Sequence, residues 1–137
     1  MRNAATLLLI SLILSACSTV SVDPQVTAES AAKIFLASLD QGRYQEPWPD
    51  AANRLRSMVG QDDWANNLES TRRPLGVLIH REVTSIEFHN SLEEMPDGEY
   101  ALLTFVGAFS DNRDIEEVVG LALDAESKWR VMGYYIH

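Results

Sequence analysis

Apolar residues in the first half of the chain recur every three or four positions, as in helices that bury one face. The first predicted helix covers residues 27–40, with Thr27 as its N-cap and Gly42 just beyond its end. Its apolar face consists of Ala31, Ala32, Phe35, Leu36 and Leu39. This pattern predicts a helix that packs one side against another layer.

Two shorter helices are predicted after the break at Pro47-Trp48-Pro49. One covers about residues 50–59, and the other covers about residues 62–73 with Asp62 as its N-cap. The side chains expected to face inward are Ala51, Leu55, Met58 and Val59 in the first, and Trp64, Leu68 and Thr71 in the second. Three helices are thus predicted before any strand.

After Gly76 the period of the apolar positions changes to two, which indicates strands. Four strands are predicted over residues 77–88, 99–109, 115–123 and 128–136. A bulge is expected near His80, and Gly120 is expected to mark a bulge or a close approach. Helices followed by strands with short turns predict an α+β domain, with N-terminal helices packed on one face of a four-stranded antiparallel meander.

The first sixteen residues have the features of an export signal. Arg2 supplies a positive charge, and residues 4–14 form an uncharged, mostly apolar run. A helix over that run would rise only about 16 Å, roughly half the thickness of a bilayer core. The small residues Ser15 and Ala16 follow, directly before Cys17. We therefore predict that residues 1–16 are a signal peptide that is removed.

The stretch Leu14-Ser15-Ala16-Cys17 resembles the lipobox of bacterial lipoproteins. The resemblance implies transfer of a diacylglyceryl group to the Cys17 sulfur, cleavage before Cys17 and acylation of the new amine. Several acyl chains anchor a protein stably, whereas one chain binds only marginally. Residues 17–26 would then be a lipid-anchored tether and residues 27–137 a single domain. The alternative is an ordinary secreted protein in which Cys17 keeps a free thiol.

The residue after the cysteine bears on the location. It is Ser18, where an aspartate would indicate retention in the inner membrane. By analogy with lipoproteins of bacteria with two membranes, we expect a lipid-anchored protein of the bacterial cell envelope. The expected location is the periplasmic face of the outer membrane.

The sequence is acidic, with 11 Lys and Arg against 20 Asp and Glu, or −9. Arg2 is the single charged residue of the first sixteen, so its removal leaves ten basic side chains and a formal charge of −10. Such a charge excludes nucleic acid as an expected partner, because it would repel the phosphate backbone. Cys17 is the only cysteine, so an internal disulfide is excluded. No cofactor is expected.

Most of the chain, from about residue 31 to residue 136, resembles the DUF4019 family of bacterial domains, which has no known activity. The matching stretches are Trp48, Trp64, Arg72-Arg73-Pro74-Leu75-Gly76, Arg81, Pro96-Asp97-Gly98-Glu99-Tyr100, Phe109, Glu117-Val118 and Trp129 to Ile136. The sequence departs from the family pattern at Glu93 and Gly120. The closing strand is similar to those of NTF2-like and cystatin-like α+β folds, which is an analogy of fold alone.

The sequence contains no nucleophile elbow, Ser-x-x-Lys set, H-E-x-x-H motif or phosphate loop. The candidate site residues are therefore polar and aromatic ones. An apolar pocket between helices and sheet could be lined by Trp48, Arg72, Arg81, Tyr100, Glu117 and Tyr134. Two arginines at its lip would suit a carboxylate or phosphate ligand. The alternative is a structural ion pair, Arg72–Glu117 or Arg81–Glu117. No metal site is expected from His80, His89 and His137.

Two functions remain open from the sequence. The first is a non-catalytic binding or interaction module, held at the membrane by its acyl chains, whose partner is an envelope protein or a small apolar or anionic ligand. The second is a small NTF2-like enzyme, an isomerase or hydrolase, acting on an apolar substrate in a cone-shaped pocket. That chemistry needs a buried acid or base, for which Glu117, His80 and Glu82 are the candidates.

Overall fold

The computed structural model describes residues 21–112 and 114–137. Its helices are α1 (Pro24–Asp40), α2 (Asn53–Met58) and α3 (Gln61–Arg72), with 3-10 turns at Trp48–Asp50 and Arg73–Leu75. Its strands are β1 (Leu78–His89), β2 (Tyr100–Phe109), β3 (Ile115–Leu123) and β4 (Trp129–Ile136). The signal peptide and the lipidated Cys17 lie outside the described residues, so both stay predictions.

The four strands form one antiparallel sheet in the order β1-β2-β3-β4. The predicted α+β class and the meander are confirmed. Helix α1 contacts all four strands on one face, which we call the inner face, and α3 packs against α1. The core lies between these layers, with Phe35, Leu36 and Leu39 of α1 against Leu103, Phe105, Val119 and Leu121 of the sheet.

Helix α1 begins earlier than predicted. Asp23 is its N-cap, and its carboxylate accepts a hydrogen bond from the Gln25 N–H at 2.8 Å. Pro24 follows at the first helical position, where a missing N–H costs nothing. Thr27, predicted as the cap, is already inside the helix, and its hydroxyl oxygen instead accepts a hydrogen bond from the Trp129 indole N–H at 3.2 Å.

Helix α2 is shorter than predicted, because its expected first turn belongs to the edge of the sheet. Ala51 bridges Val131 in parallel, and the Ala52 N–H donates to the Val131 carbonyl at 2.8 Å. Helix α2 therefore lies beside edge strand β4 rather than across the inner face. Met58, predicted to face inward, is exposed.

Helix α3 agrees better with its prediction, although its N-cap is Gly60 and not Asp62. Trp64 and Leu68 are buried as expected, but Thr71 is exposed and Arg72 is buried in its place. In the sheet, the bulge near His80 and the irregularity at Gly120 are both present, and a further bulge lies between Val83 and Ser85.

Candidate functional site

Five polar side chains from five elements meet on the inner face, where α1 and α3 end. They are Asp40 of α1, Arg72 of α3, Arg81 of β1, Glu117 of β3 and Tyr134 of β4, and we call them the ion cluster. Glu117 is 0% exposed and Arg72 is 3% exposed. Charged groups buried to this degree are tolerated only when they are paired and hydrogen-bonded.

Arg81 is at the centre of the cluster and binds two carboxylates. Its Nη1 and Nη2 donate to the two Asp40 oxygens at 2.6 and 3.0 Å. Its Nε and Nη2 donate to the two Glu117 oxygens at 2.6 and 3.0 Å. Burial opposes the charge of Arg81, but hydrogen bonds to Asp40 and Glu117 and the charges of both raise its pKa above the ordinary value. Arg81 is therefore a permanent cation held by two anions.

Arg72 binds the same aspartate from the other side. Its Nε and Nη2 donate to Asp40 Oδ1 at 3.3 and 3.0 Å, and its Nη1 donates to the Gly76 carbonyl at 2.7 Å. The guanidinium carbons of Arg72 and Arg81 lie 4.4 and 5.7 Å from the centre of the Phe109 ring. The ring face attracts both cations and fills the apolar space beneath them.

Gly107 makes room for that ring. It lies on β2 opposite Arg81, and a Cβ atom there would be 3.0 Å from Phe109 Cε2 and 3.3 Å from the His80 carbonyl oxygen. A Cβ atom at this position would therefore crowd the ring that lies against both guanidinium groups.

Tyr134 completes the cluster by donating its hydroxyl to Glu117 Oε1 at 2.6 Å. Both Glu117 oxygens consequently accept hydrogen bonds, and both Asp40 oxygens do so as well. The charges of the two carboxylates and the two guanidinium groups sum to zero. A carboxylate with both oxygens engaged is poorly placed to accept a proton from a substrate, and a doubly bound guanidinium must lose a partner before it can bind an anion.

Four of the six predicted pocket residues belong to this cluster: Arg72, Arg81, Glu117 and Tyr134. The proposed Arg81–Glu117 ion pair is present, whereas the alternative Arg72–Glu117 pair is replaced by Arg72–Asp40. Asp40 was not among the candidates. Its spacing could have identified it, because Asp40 follows Ala32 and Leu36 at intervals of four residues. The Asp40 carboxylate therefore lies on the apolar face of α1.

The other two predicted pocket residues, Trp48 and Tyr100, lie elsewhere, so the structure does not bring all six residues together. Trp48 is in an aromatic group, with its ring centre 5.6 Å from that of Trp64, and the rings of Trp64 and Phe35 connect it to Tyr134 of the cluster. Tyr100 is on the opposite face of the sheet, where its hydroxyl donates to the Pro96 carbonyl at 2.6 Å. Strand alternation explains this, because Tyr100 directly precedes the inward-facing Ala101.

The remaining catalytic candidates also separate. His80 and Glu82 are exposed on the outer face of β1, paired with Ala108 and Val106, while Glu117 is on the inner face. Within residues 21–112 and 114–137, no group of three or more His, Cys, Asp or Glu side chains could hold a metal ion. The same part of the chain contains no helix with the length and hydropathy needed to cross a membrane.

A second candidate site is the outer face of the sheet. An antiparallel sheet covered on one side normally presents polar side chains on the other. Here β2, β3 and β4 present a mainly apolar set, half-buried or exposed: Leu102, Thr104, Val106, Ala108, Val118, Ala122, Met132 and Tyr135. Gly120 keeps this set continuous, because a Cβ atom there would be 3.2 Å from Met132 Cε and 3.6 Å from Leu102 Cδ2.

The ion cluster gives a testable pH dependence. Burial, followed by the Glu117 charge and its hydrogen bond, raises the pKa of Tyr134 far above its ordinary value of 10.0. The unfolded chain loses the Tyr134 proton near pH 10 and the folded chain keeps it, so stability should fall as the pH rises above 10. We expect the absorbance of ionised tyrosine to show one phenol that titrates only on unfolding.

The matched variant for this titration is Tyr134→Phe, which should lack the late phase. If the unchanged protein shows no late phase that Tyr134→Phe removes, the buried Tyr134–Glu117 hydrogen bond is contradicted.

Comparison with known proteins identifies a family but no relative of known function. A family model described as a protein of unknown function (DUF4019) matches residues 31–134, a range that contains all five members of the ion cluster. No curated protein and no solved structure matches the chain. The resemblance found in the sequence is confirmed.

Proposed function

The chain belongs to the DUF4019 family, and we propose that this member is a non-catalytic interaction module, anchored in the envelope through Cys17, that binds a protein partner by the outer face of its sheet. The observation that carries the proposal is the apolar character of that face across β2, β3 and β4. Contiguous exposed apolar surface of this kind usually marks an interaction site.

The ion cluster supports a structural role for the opposite face. Its carboxylates and guanidinium groups bind one another, and its position between α1, α3 and three strands ties the layers together. Satisfied polar networks of this kind rigidify a core and specify one packing. The outer face is then the better candidate for recognition, presented by a rigid sheet.

Charge indicates the chemistry of the partner. Glu82 and Glu87 on β1 and Glu116 on β3 are exposed at the border of the apolar set, and the mature chain has ten basic against twenty acidic side chains. Complementary charge steers association and suppresses wrong partners. We therefore propose a partner whose contact surface has an apolar centre and has basic groups on the side that meets Glu82, Glu87 and Glu116.

The test compares two substitutions that add the same charge to different faces. Val118→Arg changes the centre of the outer face, and Ile34→Arg changes an exposed position on α1. The lipidated protein should recover one stoichiometric partner from detergent-solubilised envelopes, and the purified partner should bind Ile34→Arg as it binds the unchanged protein. Binding of Val118→Arg should be at least about tenfold weaker, since an arginine in an apolar contact is left unpaired.

Two outcomes would contradict the proposal. One is equal binding of the purified partner to Val118→Arg and Ile34→Arg. The other is the absence of any stoichiometric partner, which would favour a small ligand. The thermal unfolding of both variants should resemble that of the unchanged protein, which excludes misfolding as the cause of lost binding.

The lipid anchor is supported by the leader and by the position of Cys17. We propose that the mature chain begins at Cys17, carries acyl chains and faces the periplasm from the outer membrane. The intact mass of the membrane form should equal that of residues 17–137 plus these chains, and Cys17→Ser should be soluble or uncleaved. An unmodified Cys17 thiol would contradict the anchor.

The finer fold assignment, NTF2-like or cystatin-like, is also a proposal, supported by a long helix packed across a four-stranded meander with bulges. It allows the alternative of a small isomerase or hydrolase, favoured by the burial of Glu117 on the inner face. The hydrogen bonds to both Glu117 oxygens make this the weaker proposal. If the protein turned over an apolar substrate, and Glu117→Gln lost this activity with its fold intact, the enzyme would become the stronger of the two proposals.

A further inference from the structure

One end of the domain contains the start of α1, the end of β1 and the start of β4, and we call it the anchor end. The Trp129 indole N–H donates to the Thr27 hydroxyl oxygen at 3.2 Å, and the Phe88 and Trp129 ring centres are 5.8 Å apart. A groove of about 600 Å³ lies there, with Val22, Phe88 and Trp129 among its lining residues. The ion cluster is at the other end of α1.

Three apolar side chains are exposed at the anchor end. Val22 is 61% exposed, Val26 on the first turn of α1 is 60% exposed, and Phe88 is 46% exposed. Trp129, which contacts Phe88, is half-buried. Tryptophan side chains are enriched at the interface between a membrane and water.

The length of the chain before α1 determines what this end can reach. Four residues, 18–21, separate Cys17 from Val22. At about 3.3–3.6 Å per residue, the Cα atoms of Cys17 and Val22 can be at most about 18 Å apart. By contrast, Ile79 at the other end of β1 is nine residues from Phe88, or about 30 Å along a strand. A lipidated Cys17 therefore keeps the anchor end close to the bilayer.

We propose that the anchor end is a second membrane contact, in which Val22, Val26 and Phe88 enter the interface of the bilayer that holds the acyl chains. This inference rests on the proposed lipidation of Cys17. The contact orients the domain so that its strands run away from the membrane surface. The outer face of the sheet then stays accessible from the side. The periplasmic end then carries the turn between β2 and β3.

Charge at the anchor end selects the type of lipid surface. The lining of the groove includes Asp23 and Glu99 but, in the described part of the chain, no lysine or arginine. Anionic lipids would repel these carboxylates, so the contact fits a zwitterionic surface. This preference separates the proposed contact from the polybasic patches that often assist lipid anchors.

The test uses the lipidated protein, in which modification of Cys17 leaves no other thiol. Phe88→Cys and Val26→Cys are each labelled with a polarity-sensitive fluorophore and reconstituted in phosphatidylcholine vesicles. Ile79→Cys is the matched control, because Ile79 is 61% exposed on the same strand as Phe88 but at the other end. Labels at 26 and 88 should shift their emission to the blue and be quenched by brominated lipid, and the label at 79 should do neither.

The outcomes separate this inference from the proposed anchoring. If intact mass shows acyl chains on Cys17 but labels at 88 and 79 report the same aqueous environment, the contact is overturned and the anchor stands. If the label at 79 shifts as well, the proposed orientation is overturned. An unmodified Cys17 thiol overturns both proposals. Addition of anionic lipid to the vesicles should reduce the blue shift at position 88.

Discussion

Replacing Arg81 with methionine is expected to lower the free energy of unfolding by about 3–5 kcal/mol, the usual cost of removing one partner from a buried ion pair. Arg81 donates four hydrogen bonds to Asp40 and Glu117, and Glu117 is 0% exposed. Without Arg81, the Tyr134 hydroxyl is the one remaining partner of the Glu117 carboxylate within the part of the chain that the structure describes. The uncompensated buried charge, more than the lost contacts, is the reason for the large effect.

A matched double variant tests that reason. Arg81→Met with Glu117→Leu removes one charge of each sign and leaves the Arg72–Asp40 pair intact. Replacing a whole buried pair with apolar groups of similar volume is often nearly neutral. The double variant should therefore be more stable than Arg81→Met alone.

Urea unfolding of residues 18–137, followed by tryptophan fluorescence, measures both variants of the ion cluster. A loss below about 1 kcal/mol for Arg81→Met would mean that the pair is worth no more than an exposed one, which contradicts its burial. A double variant that is less stable than Arg81→Met would show that the pair itself supplies net stability.

Gly76→Ala is expected to destabilise the domain by roughly 2–6 kcal/mol, because a strained backbone costs about 1–3 kcal/mol and overpacking adds a comparable amount. Gly76 has φ 82° and ψ −152°, a region that is accessible almost only to glycine. A Cβ atom there would be 2.1 Å from Ser110 Oγ and 2.5 Å from Asp111 Oδ2.

Gly42→Ala is the control for Gly76→Ala. Gly42 also has a positive φ, 71°, but no heavy atom lies within 4 Å of a Cβ built there. Its substitution should cost about 1 kcal/mol, which is the conformational penalty without the clash. Equal losses for the two alanine variants in urea unfolding would contradict the proposed role of Ser110 and Asp111.

The elements of the fold could be predicted because they depend on short-range rules. Strand boundaries agree within one residue, since alternation changes sharply at the turns. The helix starts were less accurate. The error at α1 came from choosing Thr27 over Asp23-Pro24, a cap signal that was present in the sequence. No local pattern indicates the later start of α2, because it depends on the hydrogen bond from the Ala52 N–H to the carbonyl of Val131, which is far along the chain.

The candidate site was predictable only in part, because residue types carry information about burial but not about partners. Opposite charge suggested that an arginine pairs with Glu117. Because 36 positions separate Arg81 from Glu117, the sequence did not decide between Arg72 and Arg81 as the partner. Asp40 was missed because a carboxylate at the end of a helix usually faces solvent. Tyr100 was misplaced although strand alternation already put it on the outer face.

The sequence by itself determined the order of helices and strands, the meander, the family and the expectation of an export signal, because each depends on periodicity or on neighbouring residues. Only the tertiary structure decided that two guanidinium groups share Asp40 over the Phe109 ring. It alone showed that Val22 and Phe88 are exposed beside the groove at the start of α1, and that Val26 is exposed on the first turn of that helix. Both features depend on distances between residues that are far apart in the chain. Tertiary packing determines these distances, and the local sequence pattern does not.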